Sequence, residues 1–377
     1  MTIFNARRRR LLGSVLLATA MASLPTLALA KDTIKLGFLG PLSGGNAPQG
    51  LGARNGFLLA IKQANEGNYP YTIEGVALDD ASDPQTGVSA AMKLANDSAV
   101  VAATGHWNSP VALATIPVFH RFEMPMIVWG AIGPKITEQN LPEITRVTPT
   151  LVAENQPLAG WAFKTLGAKK IAIVADTSDY GVSNADFFKK FFGEAGGQTS
   201  STDLLPVGTT DFRTILTRIK GEAPDAIYFG GVITEAGILR KQMAELGLTM
   251  PMIGISGFYD PEFISVAGKA AEGTMVSYPA SQSNPALTKM EADYKAQNYA
   301  EAPSPYTKYA YEATQILLKV IADNGIEDKA KLAQAIRSIK HDGVLGTTSF
   351  DDHGQTQIPV EIEIKVVKDG AWTTKTN

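Results

Sequence analysis

The stretch VVAATGHWNSPVALATIPVFHRF, Val100 to Phe122, holds one whole repeat of this chain's architecture. Val100 to Thr104 is apolar or small without alternation. It reads as a short strand covered on both faces, as in a parallel sheet. Gly105 permits a tight turn. Ser109 stands where a helix N-cap belongs, Pro110 takes the first helical position, and Pro110 to Phe122 has helical spacing of its apolar residues. A strand passed through a short polar loop into a helix is the βα unit of a layered α/β fold.

The same unit recurs on either side. Ile34 to Leu39, Tyr71 to Leu78 and Met126 to Val128 read as strands, and Leu51 to Ala64 and Gln85 to Asn96 as helices. The pattern pauses at Arg146 to Thr150 and restarts. Strands follow at Lys170 to Val174, Ala226 to Phe229 and Met252 to Ile255, with helices around Asp186 to Phe192, Asp211 to Ile219 and Glu235 to Leu246. Two such runs of about 120 residues predict two similar lobes. Helices at Pro285 to Gln297, Pro305 to Asp323 and Lys329 to Ile339 come next, then strands at Thr348 to Phe350 and Val360 to Val367. These are too few for a third domain and are expected to complete the earlier two. The expected fold is α/β, with two Rossmann-like doubly wound lobes joined by a hinge. Residues 31–148 and 279–346 form lobe 1, and 149–278 and 347–377 form lobe 2. Such sheets take ligands at the C-terminal ends of their strands, so two facing lobes make one cleft that closes about the hinge.

Residues 1–30 read as a targeting segment. Arg7 to Arg10 are a positive start, Leu11 to Leu27 is mostly apolar, and Ala28-Leu29-Ala30 is an A-x-A cleavage site that puts the mature N-terminus at Lys31. The arginines before Leu11 suit twin-arginine as well as ordinary export. Of 34 Lys and Arg, four leave with this segment, so 30 face 37 Asp and Glu, a net of −7. An acidic chain suits neither nucleic acid nor an anionic membrane. With no Cys there is no disulfide and no lipid-bearing cysteine at the cleavage site. The periplasm is the expected compartment.

Catalytic signatures are not found. His106, His120, His341 and His353 fall in no H-E-x-x-H context, no G-x-S-x-G surrounds Ser109, and Gly40 to Gly45 lacks the Lys and spacing of a phosphate loop. A cleft hydrolase would have only His106 as a base near Ser109. Asp79, Asp80 and Asp83 are the densest acidic cluster. A metal is one reading; Asp83 capping a helix that starts at Pro84 is the stronger one. No catalytic, metal or cofactor site is therefore expected. Binding chemistry is better placed. Amides at the helix start, those of Val111 and Ala112, beside the Ser109 hydroxyl, favour an anion, and Trp107 on the same loop serves as a ligand wall. Trp129-Gly130-Ala131-Ile132 ends the next strand in small residues that admit a ligand to the backbone. In lobe 2, Asp176-Thr177-Ser178-Asp179-Tyr180-Gly181 brings Tyr180 to the cleft. Ser256-Gly257-Phe258-Tyr259 brings hydroxyls and rings to the same edge.

Several segments, in order, resemble the leucine/isoleucine/valine-binding family of type I periplasmic binding proteins. They are IKLGFLGPLS (Ile34 to Ser43), Asp79 to Pro84, Gly105-His106, Asp179-Tyr180-Gly181, Thr210-Asp211-Phe212, Tyr228-Phe229-Gly230-Gly231 with Glu235, and Ala271-Glu272-Gly273. The resemblance spans nearly all of the chain after residue 30. It implies two lobes, three crossovers, closure on a ligand and delivery by a monomer to an inner-membrane ABC permease. It places the family's α-carboxylate serine on Ser109, its pocket alanine on Gly130 and its lobe-two tyrosine on Tyr180. Two positions depart. A threonine that helps hold the amino and carboxylate groups falls on Ile132, and the acid that pairs with the ligand ammonium falls on Ser256. A buried ammonium without its carboxylate is costly. The expected ligand is thus a small carboxylate, either an amino acid or an amine-free analogue such as an aromatic acid. Trp107, Trp129, Phe258 and Tyr306 are candidate walls, and Asn108 and Gln49 candidate neutral hydrogen-bonding groups. Glu235, Asp179 and Asp260 are alternative ammonium partners. A sensory protein docked to a receptor uses the same fold.

Overall fold

The computed structural model describes residues 31–280 and 283–375, so the expected export segment lies outside the described residues. Strand β1 (Thr33–Gly40) leads to α1 (Ala47–Glu66), β2 (Thr72–Asp79), α2 (Pro84–Ala95), β3 (Val100–Thr104) and α3 (Ser109–Arg121). Then come β4 (Met126–Val128), the short α4 (Lys135–Glu138) and β5 (Ile144–Arg146). The five strands form a parallel sheet in the order β2-β1-β3-β4-β5. Its central strands are mostly apolar because helices cover both faces. Leu36 and Phe38 of β1 pack with α1 and α11 residues, whereas Leu39 packs with α2 and α3 residues, and all three are fully buried.

The second sheet repeats the winding. It follows α5 (Leu151–Lys164) and comprises β6 (Lys170–Asp176), α6 (Asp179–Glu194), β7 (Gln198–Leu205), α7 (Arg213–Glu222) and β8 (Ala226–Gly230), then α8 (Ile233–Glu245), β9 (Met252–Gly254), α9 (Pro261–Ala267) and β10 (Met275–Pro279). Its parallel part runs β7-β6-β8-β9-β10, the same order as the first sheet. The chain then returns. Helices α10 (Pro285–Ala296), α11 (Thr307–Asn324) and α12 (Lys329–Ser338) follow, with α11 packed on α1 and β3 of the first sheet. A small hairpin, β11 (His341–Gly343) and β12 (Gly346–Thr348), pairs only with itself. Strands β13 (Ile362–Lys368) and β14 (Ala371–Thr374) then extend the second sheet antiparallel from β10. The fold is α/β with two doubly wound sheets, and the backbone passes between them three times.

Two expectations are corrected. Strand β7, QTSSTDLL, has no counterpart in the sequence reading: it is a polar edge strand with none of its eight residues buried, so it lacks an apolar run. The strand expected at Thr348 to Phe350 is instead Gly346–Thr348, held in the hairpin outside both large sheets.

Arg146, at the end of β5, is fully buried at the first passage. Its guanidinium donates to Gln355 Oε1 at 2.5 and 2.7 Å, to the Gly133 carbonyl at 2.6 Å and to Thr137 Oγ1 at 3.0 Å. Gln355 Nε2 donates in turn to the Thr148 carbonyl at 2.9 Å. The outgoing and returning segments are thereby tied together.

Candidate functional site

In each sheet the winding reverses beside its first-laid strand, between β1 and β3 and again between β6 and β8. Loops leaving such a pair turn to opposite faces and leave a crevice at the strands' C-terminal ends. One cavity of about 420 Å³ lies at both reversal points. From the first sheet it is lined by Asn46 after β1, Asp83 after β2, Trp107 to Pro110 after β3, and Gly130 and Ile132 after β4. From the second it is lined by Asp176 to Ser178 and Tyr180 around the start of α6, by Val232 and Glu235 around the start of α8, and by Gly257 after β9. Tyr306, just before α11, lines it from the second passage between the sheets.

The amino end of α3 differs from the expected cap. Asn108 is the N-cap and Ser109 the first helical residue. The Asn108 side chain does not cap, and its Oδ1 is buried without a partner. Ser109 Oγ instead accepts the Gly133 amide at 3.0 Å, which leaves the Ser109 proton free to be donated. A hydroxyl donor at the positive end of a 13-residue helix is suited to an anion. Gly133 eases this approach, since a Cβ there would lie a tight 3.1 Å from Ser109 Oγ.

Of the four aromatic walls expected, Trp107 and Tyr306 line the cavity, their rings edge-on at 6.1 Å. Trp129 does not: it stacks on Phe38 at 5.5 Å, and its Nε1 donates to the Leu39 carbonyl. Phe258 packs on Phe229 and Phe263 in the core. Tyr180 is 8 % exposed, and burial holds its hydroxyl protonated far above neutral pH. That hydroxyl makes no hydrogen bond. The nearby Asn184 amide nitrogen is turned to the Tyr180 carbonyl at 3.0 Å.

Three expected residues are placed elsewhere. Ala131 packs its side chain in the first-sheet core. Gln49 is buried, and its Nε2 donates to Asp260 Oδ2 at 2.6 Å across the two halves of the fold; burial raises Asp260 to about 6. Ser256 donates its amide and its hydroxyl to the Glu154 carboxylate, each at 2.9 Å. Glu154 is buried and pushed up to about 7 by loss of hydration. Ser256 and Glu154 line a small void behind the cavity, where Ile132 and Tyr306 line both spaces. Of the alternative acids, Asp179 pairs with Lys135 at 3.0 Å, and Glu235 lines the cavity.

The hydrolase reading loses its base. His106 Nδ1 lies 2.7 Å from Asp80 Oδ2 and Nε2 lies 3.0 Å from Thr115 Oγ1, so both ring nitrogens are engaged in the core. The acidic cluster is likewise engaged locally. Asp79 accepts the Leu42 and Ala81 amides, and Asp83 caps α2 through Thr86. Sequence reasoning missed Asp176. Its Oδ1 accepts the Ser178 amide at 2.8 Å, and burial raises its pKa. Glu235 accepts the Gly208 amide at 3.0 Å and is raised by burial and then by the charge of Asp176. The only signal for Asp176 was its place at a strand's C-terminal end.

The sequence pattern of the family described as periplasmic binding protein matches residues 33–362. A leucine-, isoleucine-, valine-, threonine- and alanine-binding protein of Pseudomonas aeruginosa is 31% identical over 344 residues, 89% of this chain and 91% of that one. A leucine-binding protein of Thermotoga maritima superposes with a TM-score of 0.84 at 27% identity, covering 91% of this chain and 98% of its own. An ABC-transporter solute-binding protein of R. palustris in complex with 4-hydroxybenzoate gives 0.81 at 25% identity, covering 91% and 96%. By pattern, by relatives and by fold, the chain belongs to the periplasmic binding protein family.

Proposed function

We propose that this chain is the substrate-binding component of an ABC importer of the branched-chain or hydrophobic amino acid type. It is exported on residues 1–30, cleaved after Ala30, and works as a monomer. It captures a small carboxylate-bearing ligand between lobes built on the two sheets and presents it to an inner-membrane permease. The observation that carries the reading is the single cavity at both winding reversals, with Ser109 and the amino end of α3 on one wall. Its volume suits a molecule of amino-acid size. The ligands named for the P. aeruginosa and R. palustris proteins share a carboxylate, the group this wall suits. The engagement of both His106 ring nitrogens away from Ser109 supports binding without turnover.

Calorimetry on the purified protein with amino acids, benzoate and 4-hydroxybenzoate tests this. Ser109→Ala is expected to weaken whichever acid binds by roughly 10-fold, the worth of one charge-assisted hydrogen bond. Unchanged affinity removes Ser109 from the site. Deleting the gene should abolish uptake of the same acid; retained uptake with a lost cellular response would favour a sensory role.

A further inference from the structure

We infer that Asp80 and His106 are positioning residues for the ligand wall: their buried pair fixes the loops of the first sheet against one another, so that the amino end of α3 is set for a ligand before one arrives. The inference rests on the reading of the cavity as a ligand site. It gives neither residue a contact with the ligand, since neither lines the cavity.

Asp80 directly follows β2, and His106 lies two residues beyond β3. Both side chains are fully buried, with His106 Nδ1 2.7 Å from Asp80 Oδ2. Hydrogen bonds run outward from this pair in two directions. On one side, the Asp80 amide donates to the carbonyl of Gly40, the last residue of β1, at 3.0 Å. Asp80 Oδ1 accepts the Ser82 amide at 2.9 Å, and its carbonyl accepts the Asp83 amide at 2.8 Å. Ser82 Oγ accepts in turn from Asn46 Nδ2 at 3.0 Å. On the other side, His106 Nε2 lies 3.0 Å from Thr115 Oγ1 on α3. The His106 carbonyl accepts the Gly130 and Ala131 amides, just after β4, at 3.1 and 2.9 Å. The ends of β1, β2, β3 and β4 and the first turns of α3 therefore meet at two residues. Ser82, Asp83 and Gly130 of the cavity lining bond to the pair directly, and Trp107 follows His106 in the chain.

A buried polar pair is no better than apolar packing at holding elements together. It differs in fixing direction, because a hydrogen bond is lost when its angle or length departs from a narrow range. A binding site must be held within about 0.5 Å of its working geometry by groups standing behind it. Ser109 shows what is held. Its Oγ accepts the Gly133 amide at 3.0 Å, from the same loop whose Gly130 and Ala131 amides are bonded to His106. The spacing between the start of α3 and the β4 loop is thus set twice, once on the cavity wall and once behind it. A wall that is assembled only part of the time lowers apparent affinity by that fraction, and the loss falls on association, since a conformational step then precedes binding.

The test is stopped-flow binding with whichever of the protein amino acids, benzoate and 4-hydroxybenzoate binds the unaltered protein in calorimetry. His106→Leu removes both ring bonds, whereas His106→Asn keeps an N–H near the place of Nδ1 for Asp80. We expect His106→Leu to slow association roughly 10-fold, equally for every acid that binds, with dissociation nearly unchanged. His106→Asn should recover most of that loss. Ser109→Ala, which removes a contact, should instead speed dissociation. Ile336→Ala controls for stability: Ile336 is buried in α12, outside the cavity lining. It should lower the urea midpoint and leave association unchanged. The positioning role is overturned if His106→Leu keeps its association rate, if His106→Asn is as slow as His106→Leu, or if Ile336→Ala slows association as much. Should His106→Leu not fold, Thr115→Val decides: it removes the Nε2 partner alone and should slow association roughly 3-fold, an unchanged rate overturning the role. If Ser109→Ala is silent while His106→Leu slows association, the carboxylate grip of Ser109 falls and the positioning role stands. No binding by any probe removes the reading of the cavity and this inference with it.

Discussion

At Gly257 a Cβ would lie 2.1 Å from the Tyr180 hydroxyl and 2.9 Å from the Gly231 carbonyl. Neither distance is tolerable, so the missing side chain is what lets Tyr180 reach the cavity wall. Gly257→Ala should therefore displace Tyr180, cost about 2 kcal/mol as an overpacking change, and weaken ligand binding. Adding Tyr180→Phe removes the closest clash and should recover part of the stability in urea titrations, with the contacts at 2.9 Å to the ring Cζ and the Gly231 carbonyl accounting for the rest. Full additivity of the two changes would show that they do not meet. At this scale the sequence was readable for residues that act through their own backbone. Asp83 before Pro84 was read as a cap and is one, through the Thr86 amide. Gln49 was not readable, because its partner Asp260 is 211 positions away and is brought near only by packing.

Elements were legible where burial imposes a pattern. The strand at Val100 to Thr104 is found at the expected residues because both its faces are covered, so that only Thr104, bonded to the Ile127 carbonyl, is polar. Strand β7 escaped because an edge strand needs only one apolar face. Helix ends follow the same logic. Asp328 caps α12 by accepting the Lys331 amide at 2.9 Å, outside the cavity lining. Asp328→Ala should cost about 1 kcal/mol of stability and leave ligand affinity unchanged; a change in affinity would tie α12 to closure. Helix α3 works the other way. Its N-cap side chain leaves the helix amides uncovered, and Ser109 turns to Gly133 instead. An end left open on a cavity wall is available to a ligand.

Across the whole molecule, buried charges hold the passages between the sheets. Arg146 satisfies acceptors on Gly133, Thr137 and Gln355, and burial lowers its pKa to about 9. Arg146→Met would strand several of these, and at about 1–3 kcal/mol each unfolding in urea should shift by about 3 kcal/mol or more. Glu312 on α11 accepts the Val344 amide at 2.8 Å and Thr348 Oγ1 at 2.7 Å, which binds the β11–β12 hairpin to the first half. Burial pushes it from 4.5 up to about 7. The folded state therefore keeps a proton that the unfolded chain has already released. Its contribution is complete below about pH 4.5 and is lost as the pH climbs to about 7, a difference of about 3 kcal/mol. Glu154 acts in the same direction and window. Denaturation midpoints should accordingly be higher at pH 5 than at pH 8, and Glu312→Gln should narrow the gap. A gap unchanged in that variant would mean that Glu312 does not titrate there.

Local chemistry was enough to read the alternation of strand and helix, the repeat of the unit and the loop from Gly105 to Pro110. Each follows from hydrophobic period, caps and turn residues within a dozen positions. The charge character of the cavity was not accessible that way. Asp176 ends β6 and Glu235 lies in the first turn of α8, and they become neighbours only because β6 and β8 pair in the sheet. Ser256 appeared in the sequence as a lost acid; folding sets Glu154 against it from α5, 102 positions away. Long-range pairs like these are made by packing, which a linear pattern does not encode. An anion-suited wall at Ser109 could thus be proposed from the sequence, whereas the juxtaposition of Asp176 with Glu235 on the opposite wall was decided only once the second sheet was wound.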